Sequence, residues 1–175
     1  VQDKVKQGAR VWVSIGSNID RERNIRAAVA ALRAGFGALR LSRVYECPAV
    51  GFSGAAFYNL VAGFDTELSP AELSARLRAI EHAQGRVRSG GKFSSRTLDI
   101  DLLSYGDRVM DRGAVHLPRD EILKYAFVLG PLAEVAPHER HPVDGRSYRE
   151  LWDAFEKTAQ PVTPVDLDLD GGWPG

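Results

Sequence analysis

The order of periodic segments along this chain predicts an α+β fold with a β-α-β-β-α-β core over residues 10 to 105 and extra C-terminal elements. Three observations carry that prediction. Alternating or β-branched runs recur at four places in this stretch. Two segments with a 3.6-residue apolar repeat lie between them. Glycine, proline and small polar residues punctuate most of the junctions. The order is the ferredoxin-like pattern.

Arg10 to Ile15 alternates, with Val11, Val13 and Ile15 on one face, and Gly16-Ser17-Asn18 is expected to stop it as a turn. Ile25, Ala28, Val29 and Leu32 recur at helical spacing, and Gly35 and Gly37 end that helix. Leu39 to Glu46 reads as the second strand. Cys47 to Ala56 carries Pro48, Gly51 and Gly54 and reads as a loop, and Phe57 to Thr66 reads as the third strand. The second helix is well signed: Ser69 is the N-cap, Pro70 sits at the first helical position, and Glu72 completes a capping box. Leu73, Leu77 and Ile80 form its buried stripe and Gly85 ends it. Arg86 to Ser95 reads as an exposed loop, and Thr97 to Tyr105 as the fourth strand, turned back by Gly106-Asp107.

Beyond the core, residues 107 to 118 read as a short hairpin and Pro131 to Ala136 as one helical turn. Ser147 with Glu150 starts a third amphipathic helix through Tyr148, Leu151, Trp152 and Phe155. Gln160 to Gly175, with three Pro and three Gly, is expected to be loosely held. The expectation is one domain, with a core over 10–157 and a tail over 158–175.

Of 175 residues, 44% are apolar and 26% charged, as in a soluble globular protein. Basic and acidic residues balance at 23 each, so no global field draws the chain to nucleic acid or anionic lipid. Any bound anion must be held by a local cluster. No apolar run approaches the roughly 20 residues needed to span a bilayer. Val1 to Arg10 has no signal-peptide core, and Cys47 stands alone, so no intrachain disulfide forms; a cytoplasmic location is expected. The four histidines show no metal-ligand spacing with one another or with the cysteine.

The most informative stretch is Arg96-Thr97-Leu98-Asp99-Ile100-Asp101-Leu102-Leu103. On a strand, Asp99 and Asp101 share one face, with α-carbons roughly 6–7 Å apart, while Leu98, Ile100 and Leu102 share the other. Two carboxylates so placed repel unless something positive lies between them. One or two hard divalent cations would serve, since Mg²⁺ takes one or two carboxylates together with phosphate oxygens. A solvated acidic face is the plainer alternative. Just upstream, Gly85 to Arg96 supplies Arg86, Arg88, Lys92 and Arg96 on one loop. Cations beside a carboxylate-metal site suit transfer from a polyphosphate, which depends on positioning and charge neutralisation. A solvated basic loop is the alternative here.

These pieces, in this order, resemble the 6-hydroxymethyl-7,8-dihydropterin pyrophosphokinase family. The motifs are Ile15-Gly16-Ser17-Asn18, Tyr45-Glu46-Cys47-Pro48-Ala49-Val50-Gly51, Phe57-Tyr58-Asn59 and Ile80-Glu81 leading to Gly85-Arg86-Val87-Arg88. They continue with Arg96-Thr97-Leu98-Asp99-Ile100-Asp101, Leu117-Pro118 and Phe127-Val128-Leu129-Gly130-Pro131-Leu132. The resemblance implies diphosphate transfer from ATP to the hydroxymethyl oxygen of a reduced pterin, releasing AMP. It implies two Mg²⁺ ions held by Asp99 and Asp101, and Arg86 and Arg96 on the transferring group. Glu81, Arg88, Phe93, Leu98 and Arg119 fall on the ATP side, and Pro48, Val50, Phe57, Asn59 and Phe127 around the pterin. An amide for the ring's donor-acceptor edge and an aromatic for its face are what a flat heteroaromatic needs.

Several positions depart from the family pattern: Cys47 for Thr, Phe57 for Tyr, Arg78 for Gln, Phe93 for Trp, Ser94 and Ser95 before the key Arg, Arg119 for His, and Tyr125 for Arg. A retuned or non-catalytic pterin-binding paralogue is therefore an alternative reading. A ferredoxin-like RNA-binding domain is disfavoured, because Asp99 and Asp101 would repel phosphate on the strand that such domains use.

Overall fold

The computed structural model describes residues 8–49, 54–84, 98–113 and 115–169. In chain order these form β1 (Ala9–Ser17), α1 (Arg21–Phe36), β2 (Arg40–Leu41), β3 (Val44–Cys47), β4 (Phe57–Thr66) and α2 (Pro70–Ala83). Then come β5 (Asp99–Tyr105), β6 (Met110–Arg112), β7 (Val115–Leu117), α3 (Glu121–Lys124), α4 (Ala126–Val135), α5 (Tyr148–Ala154) and β8 (Thr163–Val165).

The main sheet runs β5-β1-β4-β3-β8, with β2 also on β4, and its ladders are antiparallel. Without β8 the order is that of the ferredoxin-like α+β fold, as expected. Alternation assigns the two faces. Val11, Val13, Ile15, Leu60, Ala62, Phe64, Ile100 and Leu102 pack against the apolar stripes of α1 and α2. Trp12, Val61 and Leu103 pack against α3, α4 and α5. A β-bulge resets the phase of β5: Trp12 pairs with Ser104 but Val13 with Leu102, so Leu103 is the extra residue. Tyr105 thereby returns to the face of Ile100 and Leu102.

The Ser69–Glu72 capping box forms in full, whereas at Ser147 only half of the expected box forms, because the Glu150 carboxylate takes the Ser147 hydroxyl instead of the N-cap backbone N–H. The Glu72 N–H donates to Ser69 Oγ at 3.2 Å, and the Glu150 N–H to Ser147 Oγ at 3.1 Å. Four stretches differ from expectation. β1 continues through Gly16 and Ser17, because both pair with β4 instead of turning. The expected strand from Leu39 to Glu46 is two pieces, since the Ser42 hydroxyl accepts the Val61 N–H at 2.9 Å and interrupts the backbone ladder. The expected turn from Pro131 is the second half of a ten-residue helix that starts at Ala126. The tail expected to be loosely held is tied down through residue 169. β8 pairs with β3, Arg26 and Arg33 of α1 donate to the carbonyls of Asp168 and Leu169 at 2.7 and 2.8 Å, and Leu167 and Leu169 pack on the core. Such a Pro-rich segment cannot build structure alone, but it can use a free sheet edge and side-chain donors from elsewhere. No helix among the described residues is long and apolar enough to cross a membrane.

Trp12 crosses the sheet above Gly63, its directly paired residue, and its indole N–H donates to Glu139 at 2.7 Å. A β-carbon at Gly63 would fall 2.3 Å from the indole ring. Gly63→Ala should therefore lower stability by about 1–3 kcal/mol, the usual cost of overpacking. Urea unfolding with an unchanged slope would show it, and a neutral result would mean that the indole can move aside.

Candidate active site

β1 lies between β4 and β5, and its register brings three residues into one row. Gly16 pairs with Asn59 on one side and with Asp99 on the other. Directly paired residues point to the same face. Two strand spacings separate the α-carbons of Asn59 and Asp99, about 10 Å. Between them Gly16 leaves bare backbone. A β-carbon there would lie 2.7 Å from Asn59 Oδ1. The next row on the same face pairs Asp101 with Ser14 and Ser14 with Val61. The two acids thus share a side, as the strand period predicts, and it is the face that packs α4.

Asp101 is only partly paired. The guanidinium of Arg119 approaches one carboxylate oxygen at 3.9 Å and that of Arg78 at 4.0 Å, both beyond hydrogen-bond distance. Burial pushes the Asp101 pKa above the usual carboxylate range. Arg119 opposes that shift, Asp99 and Glu81 add to it, and Arg78 opposes it. The group is thus held ready for a cation. Among the described residues no cluster of three or more His, Cys, Asp or Glu could hold a metal by itself. Two carboxylates on one face, one of them short of positive charge, fit Mg²⁺ that arrives with phosphate oxygens.

Arg119 is placed by its backbone, whose N–H donates to the Leu103 carbonyl at 2.9 Å, and by Glu121, which takes its Nε–H at 3.2 Å. Glu81 is 1% exposed and accepts from Arg78 at 2.6 Å, so it is no surface acid; it holds the cation that faces Asp101. Leu98 is wholly buried among the core residues. Its side chain anchors the acidic strand.

On the other side of the row, Phe57 and Asn59 share a face with Tyr45 and Cys47, their partners on β3. Burial raises the Cys47 thiol to about 11, against a hydrogen bond with Asn59 that lowers it. It stays protonated at neutral pH and is no nucleophile. Pro48, exposed just after β3, lines a cleft of about 420 Å³ with Glu46, Ala49, Gly54, Ala56, Pro161 and Thr163. Phe127 lies in the first turn of α4, half-buried, with its ring stacked on Tyr125 at 5.1 Å and 16°. The sequence alone reads it as part of an apolar run. Val50, Arg86, Arg88, Phe93 and Arg96 lie outside the described residues. Gly16 reads as a turn in the sequence, and only the sheet register places it between Asn59 and Asp99.

Residues 12–137 match the family described as 7,8-dihydro-6-hydroxymethylpterin-pyrophosphokinase. The chain belongs to this family. It is 37% identical over 163 residues to a Synechocystis protein named 2-amino-4-hydroxy-6-hydroxymethyldihydropteridine pyrophosphokinase, covering 91% of this chain and 83% of that one. A Pseudomonas aeruginosa protein of the same name is 39% identical over 146 residues, covering 81% of this chain and 89% of its own. The fold is shared with the crystal structure of Plasmodium falciparum HPPK-DHPS wild type with pteroate, at a TM-score of 0.70 and 12% identity. That match covers 87% of this chain but 43% of the other, so this pyrophosphokinase-family chain spans less than half of the longer protein.

The bare backbone at Gly16 gives one expected outcome. Gly16→Ala should displace the Asn59 amide and weaken pterin binding at least tenfold with little loss of fold, read by calorimetry alongside circular dichroism. Unchanged affinity would remove Gly16 from the site. A second outcome follows from the raised Asp101 pKa. Burial makes the charged form of Asp101 costlier in the folded than in the unfolded chain, so stability falls as pH rises through the ordinary carboxylate value near ~3.9 toward the raised one. Asp101→Asn should therefore melt no lower than the parent at neutral pH without divalent cations, while losing turnover. A lower melting temperature would show that the two arginines stabilise the carboxylate more than burial penalises it.

Proposed function

We propose that this chain moves a diphosphate from ATP onto 6-hydroxymethyl-7,8-dihydropterin, giving AMP and the pterin diphosphate, a step of folate biosynthesis in the cytoplasm. The observation that carries the reading is the row Asn59–Gly16–Asp99 within a chain of this family. A polar amide and an acid stand on either side of a strip of backbone that carries no side chain at Gly16.

In this reading Asn59 hydrogen-bonds the edge of the pterin, Phe127 stacks on its ring, and Phe57, Pro48 and Val50 complete the pocket. The hydroxymethyl oxygen then points along the strip toward Asp99. It bonds to the β-phosphorus as the bridge from α- to β-phosphorus breaks. AMP leaves, and the hydroxyl proton passes to water. Asp99 and Asp101 would hold the Mg²⁺ of the nucleotide. Two such ions would neutralise the triphosphate and make its β-phosphorus more electrophilic. Arg119 and Arg78, each within about 4 Å of Asp101, would be placed to offer their charge to the phosphates as well as to the acid. Arg86 and Arg96 steady the transferring group, while Arg88, Phe93, Glu81 and the Leu98 main chain serve the nucleotide side.

The changed ATP-side residues keep positive charge beside the acid: Arg119 stands where the family pattern has His and still faces Asp101. Incubation with the reduced pterin, ATP and Mg²⁺ should yield AMP and pterin diphosphate in equal amounts, and EDTA should stop both. ADP in place of AMP would overturn the reading. Pterin binding with no product would favour the retuned paralogue.

A further inference from the structure

Gln160 lies in the tail, beyond the residues that match the family, yet its side chain reaches the segment that carries Phe127. Its Oε1 accepts the Ala126 N–H at 2.9 Å, and its Nε2 donates to the Lys124 carbonyl at 3.0 Å. The partners fix which end of the amide is which, since one can only donate and the other only accept. Between them Tyr125 is extended, at φ −123° and ψ 127°, and separates α3 from α4. Tyr125 is the N-cap of α4 and makes no side-chain cap of its own. A helix start leaves free N–H groups that need an acceptor. Gln160 supplies one from 34 residues away. It thereby fixes the backbone on both sides of Tyr125, whose ring stacks on that of Phe127.

The residues that follow reach the cleft beside Pro48. Pro161 and Thr163 line the cleft with Pro48, Ala49, Gly54 and Ala56. Thr163, Pro164 and Val165 pair with Glu46, Tyr45 and Val44 of β3, the strand that leads into Pro48. Within six residues the chain runs from the helix start bearing Phe127 to the strand feeding the Pro48 loop.

We propose that Gln160 is a positioning residue for the pterin, setting the Phe127 ring against the pocket wall that β8 braces. This rests on the pyrophosphokinase reading above. Gln160 touches neither substrate in this account; it acts through the backbone of Lys124 to Ala126. The metal and nucleotide groups, Asp99, Asp101, Arg78 and Arg119, belong to β5, α2 and the segment before α3 and should not feel its loss.

The test varies pterin and ATP separately with the full chain and with Gln160→Ala and Gln160→Glu. Gln160→Ala should raise the KM for pterin roughly five- to tenfold, the scale of a lost helix cap, with kcat and the KM for ATP within about twofold. Gln160→Glu keeps an acceptor for the Ala126 N–H and should fall between the parent and Gln160→Ala. Equilibrium titration of the pterin should show the same order and needs no turnover. A parent that binds pterin but makes no AMP would sink the catalytic reading while leaving the Gln160 effect measurable. A parent that binds no pterin overturns both. An unchanged pterin KM and affinity in Gln160→Ala, or equal losses for both substrates with a lower melting temperature, would overturn the positioning role. So would a Gln160→Glu variant no better than Gln160→Ala.

Discussion

Everything in the site depends on the register of β1 between its two neighbours. Val11, Val13 and Ile15 fix that register, because they must face α1 and α2 together with Ile100 and Leu102. A slip of β1 by one residue would turn these three side chains to the other face and carry Gly16 out of line with Asn59 and Asp99. The apolar face therefore determines the polar one. The same pairing that closes the core sets Asn59, Gly16 and Asp99 in line, and glycine is the one residue that leaves the line open. Core packing and the alignment of this polar row are here two consequences of one ladder.

The electrostatics of that face are left unfinished. Asp101 has two guanidiniums near it, but neither closes to a hydrogen bond, and burial disfavours its charge. Arg78 is already engaged by buried Glu81, and Arg119 by Glu121. Each cation is tethered by a second acid, which keeps it close to Asp101 without satisfying it. A protein selected for stability alone would pair or delete such a carboxylate. A carboxylate left poorly satisfied is one from which a divalent cation would gain by binding, as the proposed reading requires.

Much of this was legible in the sequence where the signal is local. The reciprocal Ser69–Glu72 cap, the stripes of α1 and α2, and the shared side of Asp99 and Asp101 follow from periods and caps read within a few residues. The roles around the pterin were not legible from periodicity; they came from the family motif set. What escaped is non-local. The division at Ser42 depends on the Val61 N–H of another strand, the length of α4 is masked by Pro131, and the order of the tail depends on the edge of β3 and on Arg26 and Arg33 of α1. Gly16 has the composition of a turn, and only its two ladder partners make it a strand residue. Glu81 reads as a surface acid until Arg78 is seen to pair with it in the interior.

The departures from the family pattern make sense as a movement of charge. Tyr125 removes a cation, and its ring stacks on Phe127 instead, extending the aromatic surface at the start of α4. Arg119 and Arg78 stand where the pattern has His and Gln, and both approach the same oxygen of Asp101. A guanidinium stays charged at any working pH and offers several donors in a plane, which suits bridging phosphate oxygens better than an imidazole or an amide does. Charge lost from the segment before Phe127 thus reappears beside the acidic pair, where phosphate and metal would meet. The start of α4 itself needs an acceptor for its free N–H, not a cation, and that acceptor is Gln160, in a part of the chain that the family match does not reach.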